Sequence, residues 1–111
     1  MKTDQWYVIL DIIKKDSSFT FILVGDINHE YELEHKKKIL DILYAAEDYK
    51  EVFFDMAEVD LIDSCGIGML IYVNNFLKNK EKTLYLTNVT EKVMKLFEYG
   101  FLDKLFTIKK S

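Results

Sequence analysis

The chain has 111 residues, half of them hydrophobic and 31% charged, with a net charge of −4. That length makes one domain able to bury a core, and the apolar content excludes general disorder. The acidic balance lacks the basic footprint of a nucleic-acid binder, and the single cysteine, Cys65, excludes an internal disulfide.

Trp6 to Ile13 is a strand-like apolar run, and Lys14 to Ser18 reads as a turn. Phe19 to Val24 is a second β-rich run, ending at Gly25, so the two form an expected antiparallel hairpin. The polar start, Met1 to Gln5, carries no apolar signal segment. Asn28 is a candidate N-cap, with Glu30 and Glu32 set to favour the positive end of a helix dipole. Ile39, Leu40, Leu43 and Ala46 recur at helical spacing, which predicts a last turn near Tyr49-Lys50. The basic run Lys36-Lys37-Lys38, flanked by acids, reads as a solvated helix face.

Val52-Phe53-Phe54 is an uninterrupted apolar strand of the kind buried on both faces. A second helix is expected from about Cys65 to Asn79; it is apolar almost all round and so largely covered. Its densest stretch, Ile67 to Val73, is far short of the roughly 20 residues of a membrane span. Thr83 to Leu86 makes another strand. Thr90 then caps a third helix, with Val89 and Met94 spaced as a hydrophobic staple, Val93, Leu96 and Phe97 as its inner stripe, and Gly100 at C′. Leu105 to Ile108 is a candidate final strand. No prolines occur, although average usage is about 5%. The pattern predicts an α/β fold: a mixed, mostly parallel sheet of four to five strands with an antiparallel edge hairpin, packed by three to four helices, in one domain over 1–111.

In open α/β sheets chemistry collects at the carboxyl ends of strands. Two loops qualify, Gly25 to Asn28 and Asp60 to Gly66, and parallel strands would make them neighbours. The second loop places a carboxylate, a hydroxyl and a thiol in succession at a helix start, where free backbone N–H groups favour an anion. A phosphate on Ser64 or on residue 65 would be held there. Alternatively, Asp63 or Ser64 is only an N-cap, and Gly66 and Gly68 permit close packing. Without a Gly-Lys-Ser/Thr motif there is no NTP-binding P-loop. Neither a Cys-x-x-Cys motif nor metal-ligand spacing appears, so no metal or other cofactor is expected. Cys65 with His29 is a geometrically conceivable nucleophile–base pair, since His29 follows the neighbouring loop.

The stretch Val52 to Gly68 resembles the signature of the STAS domain of bacterial anti-sigma-factor antagonists: a hydrophobic strand, an Asp, a Val-Asp-hydrophobic turn, then Asp-Ser-Ser/Thr-Gly-hydrophobic-Gly. Gly25-Asp26-Ile27-Asn28 resembles the family's Gly-Glu-Leu-Asp, and the segments Leu86 to Val93 and Tyr99 to Phe106 resemble its C-terminal helix and closing turn. The resemblance implies a cytoplasmic binding module, not an enzyme. Such a module captures a serine-kinase anti-sigma factor, frees the sigma factor to regulate transcription, and is switched off by phosphorylation. It implies no membrane or direct nucleic-acid partner, a monomer or weak dimer, and partner contacts at Asp26, Asn28, Asp63, Ser64, Cys65, Gly66 and Ile67. The phosphoacceptor position falls on Cys65, a thiol where the family carries a hydroxyl, and Asn28 replaces an Asp. Three readings follow: an antagonist locked on, phosphate accepted by Ser64 instead, or a redox response at Cys65. A stressosome-like scaffold is the alternative role.

Overall fold

The computed structural model describes residues 11–109. Five strands form one sheet in the order β1 (Asp11–Lys15), β2 (Ser18–Val24), β3 (Glu51–Glu58), β4 (Thr83–Thr87) and β5 (Thr107–Lys109). β1 pairs antiparallel with β2, and every other pairing is parallel. The hairpin and the mostly parallel sheet are as expected; the Trp6 to Leu10 part of the first run lies outside the described residues. Three helices, α1 (His29–Ala45), α2 (Ser64–Asn79) and α3 (Glu91–Tyr99), connect the parallel strands.

Period-two alternation builds the core. Phe21 pairs with Phe54, and Phe54 with Leu86, so one face carries a continuous apolar row that is fully buried. Phe19, Val52 and Leu84 form the next row on that face. Met69, Leu70, Val73 and Leu77 of α2 and Ile39 and Leu43 of α1 join the same buried cluster. Each fully buried side chain of this size contributes about 1.5–3 kcal/mol through burial.

The expectation that Val52-Phe53-Phe54 is buried on both faces is corrected. Only Val52, Phe54 and Met56 of β3 are buried. Phe53 points to the opposite face, stacked on Tyr85 with ring centroids 5.0 Å apart and Lys109 over both rings. On that face the stacked Phe53–Tyr85 pair and the Lys109 stem shield one another.

Other boundaries also move. α1 ends at Ala45, not near Tyr49, because the chain turns there to bury Tyr49, whose hydroxyl donates to the Leu43 carbonyl at 2.9 Å. Leu96 is exposed, so the inner stripe of α3 is Val93 and Phe97 alone. Gly100 is the C-cap, with φ −95°, and the left-handed position falls on Phe101 at φ 59°. Its N–H bonds to Glu98 while that of Leu102 bonds to Phe97, closing the helix end. α2 is less covered than its composition suggests: Tyr72 is half exposed, lying under the Lys36 ammonium at 4.2 Å.

His35 sits on the buried stripe of α1 with Tyr31, whose ring meets it edge-on at 4.4 Å. Neither ring nitrogen has a hydrogen-bond partner, and Glu34 Oε1 stands 3.8 Å from Nε2. Burial holds the imidazole below its ordinary titration range; the Lys38 charge adds to this and Glu34 opposes it. The folded chain therefore keeps His35 neutral where the unfolded chain, titrating near 6.5, binds a proton. Stability is full above that value and falls as pH drops below it, by up to about 1.4 kcal/mol per pH unit. Urea midpoints at pH 7.5 and 5.0 should show this loss, and His35→Leu should flatten it; an unchanged slope in the variant would assign the acid sensitivity elsewhere.

Candidate functional site

The carboxyl ends of β2 and β3 lead into the two loops singled out by sequence, and the backbone laces those loops together. The Gly25 N–H donates to the Glu58 carbonyl at 3.0 Å, that of Ile27 to Leu61 at 3.0 Å, and that of Asp63 back to Ile27 at 3.2 Å. Ile27 and Ile62 thereby form a parallel bridge beyond the sheet, with both side chains buried. A register shift between Ile22 and Val24 precedes it, and Gly25 takes φ 97°, a conformation only glycine adopts without strain.

Each loop ends in an N-cap. Asn28 Oδ1 accepts from the Tyr31 N–H at 3.0 Å and starts α1; Asp63 Oδ1 accepts from the Gly66 N–H at 3.0 Å and starts α2. Asp63, rather than Ser64, is the cap. Thr90 starts α3 at the same end of the sheet, accepting from the Val93 N–H while its hydroxyl donates to the Val59 carbonyl. Three helix N-termini thus converge on one end of the sheet, each with its cap tied into a strand-end loop.

The exposed face of this end carries Asp26, Leu61, Asp63 and Ser64, with Asn28, Cys65 and Ile67 half-buried and Gly66 buried. A shallow cleft of ≈ 270 Å³ runs between the loops, lined by Asp26, Ile27, Asn28, Leu61, Ile62 and Asp63. Leu61, an apolar side chain 51% exposed among carboxylates, is a surface feature of this end that sequence reading passed over. Its signal was the adjacent apolar pair Leu61-Ile62 between Asp60 and Asp63, of which an extended chain can turn only one inward. Gly66 is where the backbones approach most closely: a Cβ there would stand 2.1 Å from the Ile27 carbonyl oxygen. Gly68, two residues on, has open space where a Cβ would go.

Cys65 lies in the first turn of α2, opposite the first turn of α1. Donor atoms of Cys65, His29 and Glu32 all lie within 4.8 Å of one another. The Cys65–His29 proximity conceivable from sequence is thus present, and Glu32 joins it as a third group. A search for metal-ligand spacing misses this set because its members come from separate segments brought together by parallel β2 and β3.

The STAS domain family model matches residues 9–111. An anti-sigma-B factor antagonist of Listeria monocytogenes is 24% identical over 102 residues, 92% of this chain and 89% of that one. A Thermotoga maritima protein assigned as an anti-sigma factor antagonist has the same fold, with TM-score 0.81 and 19% identity over 92% of this chain and 86% of that one. The phosphorylated form of the Bacillus cell fate determinant SpoIIAA also shares it, with TM-score 0.71 and 14% identity over 92% of this chain and 90% of that one.

Proposed function

The chain belongs to the STAS domain family, and on that premise we propose that it is an anti-sigma factor antagonist: a cytoplasmic binding module, monomeric or weakly dimeric, that captures a kinase-type anti-sigma factor and frees the sigma factor. The observation that carries this reading is the laced pair of loops. Asp26, Leu61, Asp63 and Ser64 are held on one rigid, exposed face by backbone bonds between Ile27, Leu61 and Asp63. An apolar residue ringed by carboxylates suits a partner with an apolar pocket and a basic rim. The Listeria relative's name points to the same role.

The phosphorylation switch is altered in this reading. A serine kinase has no hydroxyl to act on at position 65, and a phosphate there would lie against the Glu32 carboxylate, whose oxygen is within 4.8 Å of the Cys65 sulfur. Two like charges at that separation repel unless a cation lies between them. The chain is therefore an antagonist that kinase action at this position does not switch off. Immobilised on beads, it should retain an anti-sigma factor from an extract of its own cells; recovery of none would overturn the assignment.

A further inference from the structure

We infer that Cys65, His29 and Glu32 form a binding site for a divalent transition-metal ion of the zinc type, bridging the N-termini of α1 and α2. Thiolate, imidazole and carboxylate are the donor set that zinc takes, and three protein ligands with an open fourth position is an arrangement it accepts. The helix geometry supplies the set. His29 and Glu32 are i and i+3 on the first turn of α1, with Nδ1 3.8 Å from Oε1. Cys65 faces them from the first turn of α2, so that one donor atom of each residue lies within 4.8 Å of the others.

Bond lengths of about 2.0–2.3 Å around a tetrahedral ion place donors roughly 3.2–3.8 Å apart. The His29–Glu32 pair is at that spacing already, and the Cys65 sulfur, within 4.8 Å of both donors, lies about 1 Å beyond it at most. His29 is largely exposed and free to rotate, and Glu32 is half-buried. Lys36 Nζ, 3.6 Å from Glu32 Oε2, engages the other carboxylate oxygen and so orients Oε1 toward His29. Lys36 is in turn held over the Tyr72 ring. On binding, the Cys65 S–H bond is replaced by a sulfur–metal bond and the proton passes to water.

An ion here sits at the position where the resemblance places a phosphoacceptor, on the proposed docking face. Its open coordination position would meet a docked partner, so occupancy would change partner affinity. This consequence rests on the antagonist reading; the metal site itself does not.

The test is titration of the full, tag-free, metal-free chain with Co²⁺, followed by displacement with Zn²⁺. The expected result is one ion per chain, visible bands of tetrahedral cobalt, and a near-ultraviolet thiolate-to-cobalt band that Cys65→Ser abolishes. His29→Ala and Glu32→Gln should each weaken zinc affinity by about tenfold or more, whereas Glu34→Gln, two residues on and outside the donor cluster, should not. Circular dichroism of each variant separates lost ligation from lost folding. Absence of the thiolate band, its survival in Cys65→Ser, or unchanged zinc affinity in both folded His29→Ala and Glu32→Gln variants overturns the inference. A partner titration run alongside keeps the two ideas apart: retained partner binding without metal binding removes the metal site only, and the reverse outcome removes the antagonist reading only.

Discussion

Gly66→Ala should destabilise the fold by about 3 kcal/mol or more, while Gly68→Ala, two residues along the same helix, should stabilise it by about 0.5–1 kcal/mol. The new methyl at residue 66 would meet the Ile27 carbonyl oxygen at 2.1 Å and the Ile27 and Ile62 side chains at 2.8 Å. The oxygen belongs to backbone that also accepts the Asp63 N–H, so it cannot retreat without parting the two loops. At residue 68 nothing lies within 4 Å of the new methyl, and alanine simply loses less backbone entropy in a helix. Thermal melts should show Gly66→Ala lower by 10 °C or more, at roughly 4 °C per kcal/mol for a domain near this size, and Gly68→Ala slightly raised. Equal effects at the two positions would contradict the close approach of the loops.

The second large effect concerns charge at position 65. Cys65→Glu should weaken anti-sigma factor binding by about thirtyfold or more, and Cys65→Ser should leave it within about twofold. Serine matches the thiol in size and adds no charge. Glutamate puts a carboxylate against Glu32, on a surface that already carries Asp26 and Asp63, and a docked partner would desolvate it there. Isothermal titration of the three proteins with the anti-sigma factor, all metal-free, measures both. Full affinity in the Cys65→Glu variant would place residue 65 outside the interface.

Much of this architecture was legible in the residues because local chemistry and global fold agree. Asn28 and Thr90 read as caps and are caps, and the hairpin and the parallel β2, β3 and β4 follow from apolar runs separated by helical spacing. The adjacency of the two loops followed from parallel strands. What failed to show is set by tertiary packing. Tyr49 looks like a helix-end residue, and only the pocket beside Leu43 explains why the helix stops earlier to bury it. Leu96 fits the apolar period of α3 but reaches past the edge of the core. Phe53 looks buried because its neighbours are, yet a one-faced sheet leaves it to stack on Tyr85. At the site, the donors of the His29, Glu32 and Cys65 cluster were visible one by one, and their meeting depends on how α1 packs beside α2.

The most direct measurement is release of sigma factor from its preformed complex with the anti-sigma factor. Adding the chain should free sigma factor with an end point of one chain per anti-sigma protomer, and substituting the face with Asp26→Lys and Leu61→Glu together should abolish release while the fold, followed by circular dichroism, stays intact. Sigma factor left in its complex at saturating wild-type chain would contradict the account, as would undiminished release by the doubly substituted, folded variant.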